Sequence, residues 1–150
     1  MKQLDRELVV RALENGTVLD HIPTENVYRA VEILKLKELG SRITIGVNLE
    51  SKHFGQKGII KVSDKFFEAS ELNKLALIAP EASVNIIKDY KVVEKRKIVM
   101  PEEIVAIEKC KNPKCITNHQ PIPTKFAVIN KDGNISLLCH YCEKITDMKG

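Results

Sequence analysis

Three features of the sequence predict an α+β chain built from two unequal domains. Short runs alternate apolar and polar residues, two intervening segments space their apolar residues as a helix does, and all four cysteines fall within the last fifty residues. A length of 150 residues suffices for one ordinary domain or two small ones.

The first hundred residues carry the strands and helices. ELVVRAL and TVLDHI flank Glu14-Asn15-Gly16, a turn signal, so the opening reads as a strand or hairpin. In PTENVYRAVEILKLKELG, Val27, Ala30, Val31 and Leu34 keep helical spacing, Thr24 is placed to cap the start, and Gly40 to follow the end. RITIGVNL sets Ile43, Ile45, Val47 and Leu49 at alternate positions, a strand buried on one face. SKHFGQKG reads as a connecting loop, with His53 a loop histidine, and GIIKV resumes as strand. A second helix follows, with Ser70 as its cap, Leu72, Leu75, Ala76 and Ala79 on one face, and Pro80 as its stop. SVNIIKDYKVV supplies further strand. Strand–helix–strand repeated twice is the split βαβ pattern of a ferredoxin-like sandwich over residues 1–100, with both helices on one face of an antiparallel sheet.

Met100-Pro101 favours an extended break, and residues 101–150 then read as a small all-β domain. Asp132-Gly133 marks a hairpin tip, and Phe126 and Tyr141 are its only aromatics. A domain this small needs a staple. Its cysteines stand as CKNPKC (110–115) and, within LCHYC, Cys139 and Cys142. Two closely spaced thiols on a sharp turn converge on one metal, and a hairpin brings the pairs together. Four thiolates fill the tetrahedral shell of Zn²⁺ and leave no position for water or substrate, so the spacing favours one structural zinc per chain in a rubredoxin-like domain. An iron site of the same geometry, and disulfide or redox use, are the alternatives. His119 and His140 lie nearby but are not needed to complete the shell.

Charge and motifs exclude several classes. Residues 101–150 hold 7 basic and 6 acidic side chains, without the dense basic stripe of a nucleic-acid binder. KDYKVVEKRK at 88–97 is the richest basic cluster and reads as a solvated strand face, with phosphate binding as its functional alternative. No apolar run is long enough to span a membrane and no secretory signal is present, so a cytoplasmic protein with reduced thiols is expected. No phosphate loop, GxSxG, HExxH or paired-carboxylate motif occurs. Asp20-His21 ends an apolar strand before Pro23, either as a turn or as a polar pair for a ligand. Lys57, Lys61, Tyr90 and Lys95 lie at strand ends that such a sheet can bring together.

On GTVLDHIP, RITIGVNL, LALIAPEASVN, DYKVVEK, CKNPKCI and CHYCEK, from about residue 8 to residue 146, the chain resembles the aspartate carbamoyltransferase regulatory chain family. The resemblance implies a non-catalytic allosteric subunit of pyrimidine biosynthesis. Its first domain would bind ATP or CTP, often with UTP. Its zinc domain would grip the catalytic chain, in a dodecamer of two catalytic trimers and three regulatory dimers. Asp20 and Lys61 would contact ribose and base, while His21 and Lys95 would lie by the phosphates. Asn85 and Tyr90 would line the pocket with backbone groups of Val10, Ala12, Ile87 and Val92, and Val18 and Lys57 would complete the wall and the ribose contacts. Cys110, Cys115, Cys139 and Cys142 match the metal ligands. The chain departs from the family at Glu7 and Arg11, where a lysine and an acid are expected; an acid at position 7 repels a triphosphate. A second nucleotide with bridging Mg²⁺ would also depend on this segment. The rival readings are a zinc-ribbon nucleic-acid binder and a free-standing enzyme.

Overall fold

The computed structural model describes residues 13–52 and 55–148, so Glu7, Val10, Arg11, Ala12 and His53 lie outside the described residues. The chain divides into two compact units between Val99 and Met100. Among the described residues no helix is long and apolar enough to cross a membrane.

The first unit is built on strands β1 (Gly16–Pro23), β2 (Ile43–Ser51), β3 (Gly55–Ser63), β4 (Ser83–Lys88) and β5 (Lys91–Lys97), with helix α1 (Val27–Ile33) between β1 and β2 and helix α2 (Ala69–Asn73) between β3 and β4. The sheet order is β2-β3-β1-β4-β5, every pair antiparallel. Its first four strands have the ferredoxin-like arrangement, and β5 is added beyond β4 through the two-residue turn Asp89-Tyr90, both with positive φ (50° and 64°).

Both helical faces are as the spacing predicts. Val27, Ala30, Val31 and Leu34 are buried from α1 and its end, as are Leu72, Leu75, Ala76 and Ala79 from α2 and the 3-10 turn Lys74–Leu77. Each fully buried valine or leucine contributes about 1.5–3 kcal/mol. The helix ends differ from expectation. Thr24 opens a 3-10 turn without capping α1; its hydroxyl accepts the Asn48 N–H (2.7 Å) and donates to Asn48 Oδ1 (3.1 Å), tying the turn to β2. The helix ends at Leu34, well before Gly40, because Lys35 is left-handed (φ 54°). In a continued helix Leu36 would project roughly opposite Leu34, whereas the break turns Leu36 fully into the core. The cap of α2 is Glu68 rather than Ser70: Glu68 and Glu71 form a reciprocal capping box, with the Glu68 N–H donating to Glu71 Oε1 at 3.1 Å.

SKHFGQKG is mostly paired strand, since Ser51 opposes Gly55, Glu50 opposes Gln56 and Leu49 opposes Lys57. The strand over Ile43–Ser51 forms as expected, but none of its apolar residues is buried, and Ile45 is 39% exposed. Its residues oppose core positions of β3, yet β2 is the outermost strand of the sheet.

One packing contact distinguishes the two faces of the sheet. A Cβ at Gly58 would lie 2.0 Å from Val27 Cγ2, so the α1 face of β3 carries Gly58, Ile60 and Val62. Across the sheet, Ile60 pairs with Leu19 and Leu19 with Val84, which fills this main core. The alternate residues face away from the helices, where Leu13, Val18, Ile59 and Ile87 form a smaller buried cluster with Leu49 against it.

The second unit is all-β: β6 (Glu103–Val105), β7 (Lys125–Lys131), β8 (Asn134–Cys139) and β9 (Ile145–Asp147) form an antiparallel sheet in that order. Asp132 (φ 52°) and Gly133 (φ 86°) make the hairpin tip, where positive φ at both positions matches strand twist. Its buried apolar residues are Ile104, Phe126 and Leu137, beside Cys110, Cys115 and Cys139. Three side chains are too few for a self-sufficient core, and the thiols complete it.

Candidate functional site

The second unit gathers its cysteines at one point. All four Sγ atoms lie within 4.8 Å of one another, with Cys110–Cys142 at 3.7 Å and Cys115–Cys139 at 3.8 Å. Disulfide sulfurs sit about 2.05 Å apart, so these are free thiols. Four sulfurs placed tetrahedrally at a Zn–S length of about 2.3 Å stand about 3.8 Å from each other, so the cluster already has the dimensions of a closed metal shell.

Local hydrogen bonds shape both knuckles. The Cys115 N–H donates to Asn112 O (3.0 Å), and Asn118 Nδ2 donates to both Cys110 O (2.9 Å) and Asn112 O (2.7 Å). At the other knuckle the Glu143 N–H donates to Cys139 O, and Glu143 takes the left-handed conformation (φ 60°) that closes the turn. Burial pushes the Cys110 thiol up to about 12, so at neutral pH it surrenders its proton only to a cation. The Asn112 side chain and then the Lys144 backbone bring Cys142 down to about 6. The Thr117 hydroxyl, 3.2 Å from Cys115 Sγ, and then the Thr117 backbone lower Cys115. Asn118 and Thr117 follow a cysteine without any motif of their own, and sequence reading missed both.

The first unit assembles a polar face on the side of the sheet away from the helices. Lys61 opposes Val18, Val18 opposes Asn85, and Asn85 opposes Lys95, so four of the expected residues form one row across four strands. The next row runs Asp20, Ser83, Lys97. Between Leu19 and Ile22 the register shifts, and His21 has a φ of 60°. That bulge lets two successive residues serve the same face: Asp20 pairs with Lys57 (2.8 Å), and His21 Nδ1 lies 3.0 Å from Ser83 Oγ. In the other direction Ile87 opposes Val92, and Tyr90 sits exposed in the turn with its N–H donating to Glu14 O.

Lys61 is buried, 6% exposed, and burial lowers its pKa. Among the described residues no carboxylate pairs with it. A desolvated ammonium without a carboxylate partner among the described residues suits an anion or polar ligand group. Asp20 Oδ1 accepts the His21 backbone N–H (2.7 Å) and pairs with the Lys57 ammonium. Lysines on three positions of β3 and β5, one imidazole and one already paired carboxylate suit a polyanion with a polar head. Ser83 and Lys97 were not singled out as site residues from the sequence, since only the register brings them beside Asp20 and Asn85.

Comparison with known families covers nearly the whole chain. The family described as aspartate carbamoyltransferase regulatory chain, allosteric domain, matches residues 8–99, and the one described as its metal binding domain matches residues 102–149. A curated aspartate carbamoyltransferase regulatory chain of Bacteroides fragilis is 53% identical over 144 residues, 96% of this chain and 94% of its own. That of Phocaeicola vulgatus is 52% identical over 152 residues, spanning 100% and 97% of the two chains. That of Pyrococcus abyssi is 49% identical over 140 residues, 92% and 91%. The allosteric match falls on the unit with the cationic face, and the metal-binding match falls on the unit with the four thiols. The chain therefore belongs to the aspartate carbamoyltransferase regulatory chain family, as a regulatory rather than a catalytic chain with an allosteric and a metal-binding domain.

Proposed function

We propose that this chain binds nucleoside triphosphates on the helix-free face of its first domain and passes the effect to a catalytic chain held by its second. The observation that carries the proposal is the row Lys61, Val18, Asn85, Lys95, which sets two lysines and an amide around an apolar floor. ATP and CTP, with UTP as a further effector, share ribose and phosphates. Lys61, Lys57 and Asp20 hold the sugar side, and Lys95 and His21 the phosphates. Discrimination rests on the base, near Tyr90 and the backbone of Ile87 and Val92.

The metal is zinc, one per chain and structural: four thiolates leave no open position, and the sulfur spacing supports a tetrahedral shell. It makes the small second domain stiff enough to act as a rigid joint. The partner is the aspartate carbamoyltransferase catalytic chain, two trimers joined by three regulatory dimers, in the cytoplasm. An outer strand β2 with half-exposed Ile43 and Val47 supports pairing with a second copy. An effector shifts activity only if it binds one quaternary state better than the other, and coupling of about 1–3 kcal/mol is ordinary for such systems.

Calorimetric titration of the chain with ATP and CTP tests the binding half. Lys95→Ala weakens both by roughly tenfold, the scale of one charge-assisted hydrogen bond. A loss confined to one nucleotide contradicts a phosphate role for Lys95.

A further inference from the structure

Strand β5 and its ladder end at Lys97, opposite Ser83, and the first unit ends two residues later at Val99. The Val99 side chain is 64% exposed and does little to fix the backbone there. Its N–H is nevertheless engaged, donating at 3.1 Å to Oδ1 of Asn73, the last residue of α2. The other flank of α2 holds the same stretch of chain. Arg96 Nη1 donates to Phe67 O at 3.4 Å, just before the Glu68 cap, while Arg96 Nε bonds Glu94 Oε2 at 2.7 Å. Helix α2 is therefore tied at both ends to the segment 96–99, from which the chain leaves the first unit. Leu72 and Leu75, buried on either side of Asn73, anchor this end of the helix in the main core. On the sheet side of that core stand Ile60 and Val62, and Lys61 between them belongs to the opposite face. One neutral hydrogen bond at an exposed site contributes about as much as ordering one residue costs, so the tie at Val99 is closely balanced between made and open.

We propose that Asn73 is the positioning residue through which an effector on the first unit acts on the connecting backbone, its bond to Val99 made in one regulatory state and open in the other. A ligand at Lys61 acts on β3, β3 packs on the core beneath α2, and α2 carries Asn73. Because the bond is closely balanced, a modest difference in effector affinity between the two states is enough to bias it. Asn73 belongs to the helix layer, across the sheet from the cationic face, and lies outside the thiol-bearing unit. Its loss therefore alters coupling and leaves nucleotide and metal binding as they are. The proposal rests on the regulatory reading above and adds to it the residue that joins the effector face to the exit of the chain.

The test compares the metal-loaded full chain as wild type, Asn73→Leu, Asn73→Asp and Asn26→Ala. Asn73→Leu keeps the size and removes the acceptor, whereas Asn73→Asp keeps an oxygen that can accept the Val99 N–H. Asn26 Nδ2 donates to Ile78 O at 2.8 Å, so Asn26→Ala loosens the same helical layer without removing the bond to Val99. Amide hydrogen exchange should show the Val99 N–H exchanging roughly fivefold faster in Asn73→Leu alone, the scale of one neutral hydrogen bond. Calorimetric ATP affinity should stay within about twofold of wild type in every variant. In complex with an aspartate carbamoyltransferase catalytic trimer, the ATP-dependent shift in aspartate half-saturation should fall by about half or more in Asn73→Leu. It should persist in Asn73→Asp and in Asn26→Ala. An undiminished shift in Asn73→Leu, an equal loss in Asn26→Ala, no rescue by Asp, or a parallel loss of ATP affinity each overturn the assignment of Asn73. If wild type itself shows no ATP-dependent shift, the regulatory reading fails, and this assignment with it.

Discussion

The Lys57 ammonium lies 2.8 Å from the Asp20 carboxylate, joining β3 to the bulged end of β1 with both side chains largely sheltered, 20% and 16% exposed. The pair sets the Asp20 charge against a lysine on the face that also carries Lys61 and Lys95. Removing Lys57 alone should weaken ATP binding by more than removing both partners, because the single variant leaves Asp20 uncompensated. A double-mutant cycle by calorimetry should give a coupling of about 1 kcal/mol, the upper end for exposed ion pairs, because this pair is largely sheltered. Simple additivity would mean that the pair has no role in ligand binding.

Lys61 carries the reverse bargain between stability and function. Its ammonium is held in a buried position that lowers its pKa from 10.5, so the unfolded chain binds that proton more tightly than the folded one. Between the lowered value and 10.5, stability therefore rises with pH as the folded-state lysine gives up its charge. Lys61→Met should remove this alkaline rise, stabilise the chain at pH 7 by about 1 kcal/mol, and abolish tight nucleotide binding. Thermal melts across pH 7–10 check the first two effects; a destabilised variant would show that Lys61 is satisfied within the chain.

The metal centre should respond to acid in two regimes. The Cys110 thiol, at about 12, must always be displaced from its proton by the metal, whereas Cys142, at about 6, begins to compete only in mild acid. Since each displaced proton makes affinity depend more steeply on pH, log metal affinity against pH should steepen below about pH 6, where Cys142 begins to hold its proton. Competition with a chromogenic chelator between pH 5 and 8 reads the slope. A constant slope over that range would contradict the assigned roles of Asn112 and the Lys144 backbone.

Asn118 is the brace of the first knuckle. Its Nδ2 makes two bonds to backbone carbonyls, while its buried Oδ1 has no partner among the described residues. All of its contribution therefore comes from the nitrogen. Asn118→Asp, which keeps an oxygen at that position, should be no milder than Asn118→Ala, and both should lower metal affinity by about 10–100-fold. Full rescue by Asp would overturn this account.

How much of this was legible in the sequence depended on whether local spacing determines the outcome. Val27, Ala30, Val31 and Leu34 gave the buried face of α1 correctly because a helix fixes its own periodicity. Its ends did not follow from local signals: the left-handed turn at Lys35 is favoured by what it does for Leu36, a tertiary gain. Ile43 and Ile45 show the same limit in a strand, where alternation tells which face is apolar but not whether anything covers it. The four thiols were readable as a unit because two short loops and one hairpin bring them together. The cationic face was readable only in pieces, since Lys61, Val18, Asn85 and Lys95 are far apart in sequence and meet through register, and Lys97 looked like one more solvated lysine.

The central claim is that a nucleotide bound to this chain alters catalysis on another. The most direct measurement mixes the metal-loaded chain with an aspartate carbamoyltransferase catalytic trimer and follows both particle size and the aspartate saturation curve with and without ATP or CTP. The account predicts a larger particle whose half-saturation shifts with nucleotide, and loss of the shift in Lys95→Ala while the particle persists. A particle that forms normally but has a saturation curve unmoved by either nucleotide would contradict it.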